Sequence, residues 1–108
     1  MTDAATIAKL NDEFRLNPSL GILVLTTGIR AFGNNCIKEI IKQVREYNNF
    51  NTDNDPYCEH DFGSIIFKGH KIFWKIDYYD RKFMYLSPNV CKPRLTNRVM
   101  TIMLAEEY

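Results

Sequence analysis

An alternation of side chains between residues 72 and 79 constrains the fold of this chain more than any other feature. Two sets interleave with a period of two: Ile72, Trp74, Ile76 and Tyr78, and between them Phe73, Lys75, Asp77 and Tyr79. Because successive side chains of a strand point to opposite faces, this pattern predicts a β-strand with one buried face. The other face, which carries Lys75, Asp77 and Tyr79, is expected to be open to solvent.

The N-terminal half predicts two helices around one buried strand. From about Thr2 to Leu16, apolar residues recur at helical spacing, with Thr2 as N-cap, and Pro18 ends the helix. The second helix, capped by Asn34 or Asn35, has an apolar stripe made of Ile37, Ile40, Ile41 and Val44. Between the helices, residues 20–27 (LGILVLTT) are an apolar run typical of a buried strand, which Gly28 is expected to end.

The C-terminal half predicts a β-meander followed by a last helix. An asparagine- and aspartate-rich loop at residues 48–55 precedes predicted strands at residues 64–68, 72–79 and 83–86. Thr96 is a candidate N-cap for a helix that runs to Tyr108, in preference to a strand at 99–104, because Met, Leu, Ala and Glu predominate there. The order α–β–α–β–β–β–α predicts an α+β fold, in which an antiparallel β-meander sheet carries its helices on one face.

Size, charge and cysteine usage exclude several classes of function. The 108 residues fit a single domain spanning 1–108, and the formal net charge is only +1. That balance disfavours a dedicated nucleic-acid binder, which needs a basic excess, and a DNA mimic, which needs an acidic one. No signal-peptide pattern and no membrane-spanning apolar run occurs. Three cysteines without zinc or disulfide spacing (Cys36, Cys58 and Cys91) predict a cytoplasmic protein with free thiols.

The most unusual polar cluster comes just before the predicted hairpin, in the segment Asn54-Asp55-Pro56-Tyr57-Cys58-Glu59-His60-Asp61. We expect this bend to lie beside the strand that follows, so that both form one outward-facing polar surface for a protein partner. The predicted partner-binding residues are Asp55, Tyr57, Glu59, His60, Asp61, Lys75, Asp77 and Tyr79. A structural role is the alternative, because Asp, Asn and His often satisfy backbone groups in turns.

Two further functions fit the same residue types. A metal-assisted hydrolase or nuclease would use His60 as general base, with Glu59, Asp61 and Asp77 as oxygen ligands, and Cys58 is a candidate nucleophile. The E-H-D spacing matches no metal or nucleophile motif, however, so we expect neither a metal nor another cofactor. An RNA- or single-stranded-DNA-binding sheet is the second alternative, since aromatic residues are dense at Phe73, Trp74, Tyr78, Tyr79 and Tyr85.

Several long strings resemble one family. The segments NDPYCEHDFG, FWKIDYYD and TNRVMTIMLAEEY, with LNDEFR and TTGI nearer the N-terminus, are similar to the small bacterial proteins known as domain of unknown function 3768. Cys58 stands where we expect glycine in that family. The resemblance implies a stand-alone intracellular protein carried on plasmids or prophages. It therefore implies a non-catalytic binding module, with host defence machinery as partner, and an inhibitor of the anti-CRISPR kind.

Overall fold

The computed structural model describes residues 2–108, and within that range it contains three α-helices and one four-stranded sheet. The elements are α1 (Asp3–Leu16), β1 (Ile22–Leu25), α2 (Thr27–Arg30), α3 (Asn34–Glu46), β2 (Phe62–Phe67), β3 (His70–Tyr79) and β4 (Asn97–Leu104). Short 3₁₀ turns at Pro18–Leu20, Pro93–Leu95 and Ala105–Glu107 connect or end them. The predicted α+β class is confirmed.

The sheet is mixed, whereas the sequence predicted an antiparallel meander. Its strand order is β1-β4-β3-β2. Strands β2 and β3 form the predicted hairpin, whose two turn residues, Lys68 and Gly69, both have a positive φ. Two-residue hairpins favour that left-handed geometry because it matches the twist of the strands. Strand β4 pairs antiparallel with β3 and parallel with β1.

The prediction of a C-terminal helix is wrong, because residues 97–104 form strand β4. This strand lies between two others, with register pairs from Ile72↔Leu104 to Tyr79↔Asn97 on one side and from Ile22↔Val99 to Leu25↔Ile102 on the other. Pairing with β3 satisfies backbone groups along the whole strand, and pairing with β1 satisfies the opposite edge at residues 99–102. This gain outweighs a modest local preference for helix in a segment that also contains β-branched residues.

Three smaller predictions are also corrected. The predicted strand at residues 83–86 is reduced to one isolated bridge, Tyr79↔Leu86, because the chain turns at Phe83, whose φ is 56°, instead of staying extended. Strand β1 spans only Ile22–Leu25, and Gly28 lies inside α2 instead of ending a strand. The N-cap of α3 is Gly33, with φ of 87°, and not Asn34 or Asn35.

Both long helices match the sequence prediction and contribute to one core. The Thr2 hydroxyl caps α1 by accepting from the backbone N–H of Ala5 at 3.1 Å. The core joins residues from the helices to the even-numbered face of β3 and β4: Phe14, Ile29, Ile40, Val44, Ile72, Trp74, Ile76, Met100 and Ile102. The opposite face of β3 stays partly exposed, as the alternation predicted. No helix within residues 2–108 combines the length and apolar content needed to cross a membrane.

Candidate functional site

Asp55 braces the bend from inside and does not lie at the surface. Its side chain is only 5% exposed. Its carboxylate oxygen Oδ1 accepts hydrogen bonds from the backbone N–H groups of Glu59 and His60, each at 3.1 Å. These bonds hold a bend in which Cys58 and His60 both have φ near +57°, at 58° and 56°. Of the predicted bend residues, Tyr57 is the most exposed.

His60 lies between two carboxylates, one of which is distant in sequence. Its Nδ1 is 3.0 Å and 3.1 Å from the two carboxylate oxygens of Asp12, on α1, and its Nε2 is 3.7 Å from Asp55 Oδ2. The imidazole stacks on the ring of Phe50, with a centroid distance of 3.9 Å and an interplanar angle of 2°. The partners of this histidine are therefore Asp12, Asp55 and Phe50, in place of the Glu59, Asp61 and Asp77 of the hydrolase hypothesis.

Asp12 extends these contacts to a buried arginine. Arg15 Nη2 donates to Asp12 Oδ1 at 2.8 Å, and Arg15 Nη1 donates to the carbonyl oxygens of Val44 and Tyr47, at 2.8 Å each. The guanidinium also lies over the ring of Trp74, 4.8 Å from its centroid. We name the connected side chains of Asp55, His60, Asp12 and Arg15 the histidine network. It joins the bend to the C-terminal end of α3, where a positive charge is favourable.

A second group of contacts centres on Asn11, which is completely buried. Its Nδ2 donates to the Glu59 carbonyl at 2.9 Å and to Tyr78 Oη at 2.8 Å, while its Oδ1 accepts from Arg98 Nε at 3.0 Å. We name these four residues the Asn11 network. Asn11 lies four residues after Ile7 and three before Phe14, so a polar residue within the apolar stripe was the signal that sequence reasoning missed.

Glu59 and Asp61 are carboxyls whose ionised forms are disfavoured. Burial, with help from the charges of Asp61 and Asp55, raises the pKa of Glu59 above 4.5. Burial likewise raises the pKa of Asp61 above 3.8, and the charges of Asp55 and Asp77 add to the effect. The Asp61 carboxylate lies 3.5 Å from Tyr78 Oη, and its backbone carbonyl accepts from Ile76 N at 2.9 Å. Burial also raises the pKa of Tyr78.

Asp61→Asn should raise the melting temperature at pH 7 by roughly 2 °C, on the order expected for a partly exposed charge. Because the pKa of Asp61 is raised in the folded state, protonation of its carboxyl favours folding. This contribution to stability is complete at a pH below the ordinary pKa of 3.8, and it is lost as the pH rises through the pKa of the folded state. The difference between variant and wild type should therefore vanish in scanning calorimetry below pH 3.8. Asp53→Asn, in an exposed turn, is the control and should change nothing. A lower melting temperature for Asp61→Asn at pH 7 would contradict this prediction.

The remaining predicted residues lie on the open face of β3. Lys75 Nζ donates to Asp77 Oδ2 at 2.7 Å, and this hydrogen bond raises the pKa of Lys75. Tyr79 extends the row, with its ring 6.2 Å from the ring of Phe83. His60, in contrast, contacts α1 on the helix side of the sheet. The structure thus separates the expected polar surface into two parts, and from the bend it is Asp61 whose pKa responds to the charge of Asp77.

The residues of the hydrolase hypothesis do not converge on one point. Among residues 2–108, no group of three or more His, Cys, Asp and Glu side chains is placed to hold a metal ion. Cys58 is exposed and lines a surface cavity together with His60 and Asp12. No hydrogen bond joins its thiol to the imidazole in that part of the chain. The contacts of His60 therefore support a bracing role.

The aromatic residues of the nucleic-acid hypothesis are divided between the two faces of the sheet. Trp74 is completely buried, and Tyr78 belongs to the Asn11 network. Phe73 packs against Tyr108, with ring centroids 5.6 Å apart. Tyr85 is exposed, but it lies beyond the end of β3. The five rings of the hypothesis therefore do not form one row on one face of the sheet, as a series of stacked bases would need.

An exposed apolar segment follows Tyr79, where the sequence predicted a strand. We name residues 83–86 the apolar loop; its members are Phe83, Met84, Tyr85 and Leu86, and they are 50%, 66%, 71% and 78% exposed, respectively. Backbone hydrogen bonds fix the shape of this loop, from Asp80 N to the Tyr85 carbonyl at 2.8 Å and from Ser87 N to the Tyr78 carbonyl at 3.2 Å. The Asp80 carboxylate accepts from Met84 N at 2.9 Å. Four consecutive large apolar side chains are thus exposed to solvent.

Comparison with known proteins identifies one family. A family model described as protein of unknown function (DUF3768) matches residues 25–107, which is most of the chain. This match includes the bend, the β2–β3 hairpin, the apolar loop and β4, while α1 lies outside it. No curated protein and no solved structure matches the chain.

Proposed function

The chain belongs to the DUF3768 family, and on that premise we propose that it is a non-catalytic protein-binding module. The apolar loop is the observation that carries the proposal. Exposing an apolar side chain forgoes about 1.5–3 kcal/mol of burial free energy, and this loop does so at four consecutive positions. Large apolar groups gathered at one surface are typical of binding sites, and aromatic residues and Met are enriched at interfaces.

The loop is also ordered before any partner arrives. The side chain of Asp80 and the backbone of residues 78–87 fix its turn, as the hydrogen bonds above describe. A loop that is already in its bound shape pays little conformational entropy on association. Contacts of its side chains with a partner would therefore contribute more fully to affinity.

The charges beside the loop suggest the chemistry of the partner. Arg81 and Lys82 directly precede it, and both are exposed. Neither forms an ion pair with a carboxylate among residues 2–108. A partner with an apolar groove and an acidic rim would match this surface. Tyr79 contacts Phe83 and joins the loop to the open face of β3, so the proposed interface keeps three of the sequence-predicted residues: Lys75, Asp77 and Tyr79.

We also propose that the partner is a subunit of a bacterial defence complex, which would place this chain in the cytoplasm. A domain of 108 residues can cover about 800 Å² of a larger protein. That area is sufficient to block a substrate channel without any catalytic step. Glu59, Asp61 and Asp77 do not gather around His60 as a catalytic site would need. Together with the family resemblance, this supports inhibition by binding over inhibition by an enzymatic reaction.

The double variant Met84→Ser/Leu86→Ser should weaken binding to such a complex by at least about tenfold, since central apolar anchors contribute most of the energy of an interface. The measurement is biolayer interferometry of immobilised wild type and variant against purified CRISPR effector complexes. Leu16→Ser, which alters an exposed leucine at the end of α1, is the control and should bind like wild type.

Phage plating on cells that carry the same defence system gives the biological readout. The wild-type chain should raise plating efficiency, and the double variant should not. Unchanged binding by the double variant would disprove the proposed interface. If the loop binds a different protein and plating does not change, the chain is still a protein-binding module. The defence complex is then not its partner.

A further inference from the structure

A cavity of about 250 Å³ lies between α1, the beginning of β1 and the beginning of β4. Its lining combines apolar side chains with two arginines, and the residues that matter most are Leu10, Phe14, Leu20, Ile22, Arg81 and Arg98. Arg98 also belongs to the Asn11 network, which connects this cavity to the Glu59 carbonyl of the bend. The proposed interface uses the charge of Arg81 but assigns no ligand to the cavity itself.

Arg98 is a buried cation at this cavity without a carboxylate partner. It is 7% exposed, and its Nε and Nη2 donate to Asn11 Oδ1 and to the Val90 carbonyl, at 3.0 Å and 2.7 Å. Its Nη1 makes no hydrogen bond within residues 2–108, and no carboxylate in that range lies within 4.0 Å of its guanidinium. Burial lowers the pKa of Arg98. A buried charge of this kind is costly unless an anion compensates it.

Arg81 provides a second donor group at the same cavity. Its Nη1 donates to Asn97 Oδ1 at 2.7 Å, and the structure shows no hydrogen bond from its Nε or Nη2 within the described range. Like Arg98, it has no carboxylate partner there. Two arginines line this cavity, and guanidinium groups offer the planar, forked donors that carboxylates and phosphates favour.

We infer that this cavity binds a small organic monocarboxylate, with its carboxylate at Arg98 and Arg81 and its apolar body against Leu10, Phe14 and Leu20. The lining also contains Glu13. A second negative charge on the ligand would be repelled by this residue, which disfavours inorganic phosphate. The volume is below the range of drug-sized sites, so a ligand of about eight heavy atoms fits.

Titration of the full chain with hexanoate tests the inference by ¹H–¹⁵N correlation NMR, which reports the Nε–H group of Arg98 directly. Hexanoate should shift this signal and the amides of Gly21 and Ile22 in a saturable manner. 1-Hexanol has the same apolar body without the charge and should bind at least about tenfold more weakly, because a hydrogen bond to a charged group is lost. Sodium phosphate at equal ionic strength should give no saturable shift.

Each other outcome overturns the inference in a specific way. Equal binding of hexanol and hexanoate would show a purely apolar cavity, and saturable binding of phosphate would show a general anion site. The absence of a saturable shift with any probe would remove the site. Substitution of buried Arg98 could unfold the protein, so the variant of choice is Arg81→Gln. This variant should weaken the binding of hexanoate by about tenfold. Its matched control is Lys82→Gln, one residue further along the exposed turn, which should leave binding unchanged.

Discussion

Arg15→Ala should lower the free energy of unfolding by about 3 kcal/mol, which is the range for removing one partner of a buried, charged hydrogen-bond network. The guanidinium donates to the carbonyls of Val44 and Tyr47 and to Asp12, so its loss removes two hydrogen bonds from the end of α3 and one from α1. It also removes the cation from the face of Trp74, which is completely buried in the core. Urea denaturation followed by circular dichroism measures the change.

Two further substitutions separate the network from a general effect of charge. Arg45→Ala removes an exposed arginine from α3 itself and should change stability by less than about 0.5 kcal/mol. Arg15→Lys keeps the positive charge but not the forked donors. Its loss of stability should therefore lie between those of Arg15→Ala and Arg45→Ala. Equal stabilities of Arg15→Ala and Arg45→Ala would show that the histidine network does not hold the fold.

Asn11→Leu should also cost about 3 kcal/mol, although the new side chain is apolar and of similar size. The change leaves the Glu59 carbonyl, Tyr78 Oη and Arg98 Nε without the partner they share. Each buried polar group that loses its hydrogen bond costs about 1–3 kcal/mol. The family model matches residues 25–107, and Asn11 lies outside that region. This prediction therefore concerns how α1 is attached to the region that the family shares.

A double-mutant cycle with Tyr78→Phe measures the coupling inside the Asn11 network. Asn11→Leu should cost less in the Tyr78→Phe background, because one of the three orphaned groups is then already absent. Asn11→Asp retains an acceptor for Arg98 Nε and should be milder than Asn11→Leu. Additive losses in the cycle, read from urea midpoints of all four proteins, would contradict direct coupling between the two side chains.

Residue type alone predicted part of the candidate site. The cluster at residues 54–61 was identified because Glu59, His60 and Asp61 stand together in a turn-rich segment. The partners of His60 were not predicted, since Asp12 is 48 positions away in the chain. Spacing within a segment describes local geometry only, whereas a contact across 48 residues depends on how α1 packs. The apolar loop was visible as a run of large side chains, but its exposure follows from the turn that the chain makes at Asp80 and Phe83 after β3.

Periodicity by itself indicated α1, α3 and β3, because the apolar positions of each segment match one backbone geometry. The β2–β3 hairpin was predicted from a turn at residues 68–71, which the structure narrows to Lys68 and Gly69. Only the tertiary structure decided the state of residues 97–104, whose local preferences for helix and strand are nearly balanced. Hydrogen bonding to β1 on one side and β3 on the other settled that balance, and both partners lie far away in sequence.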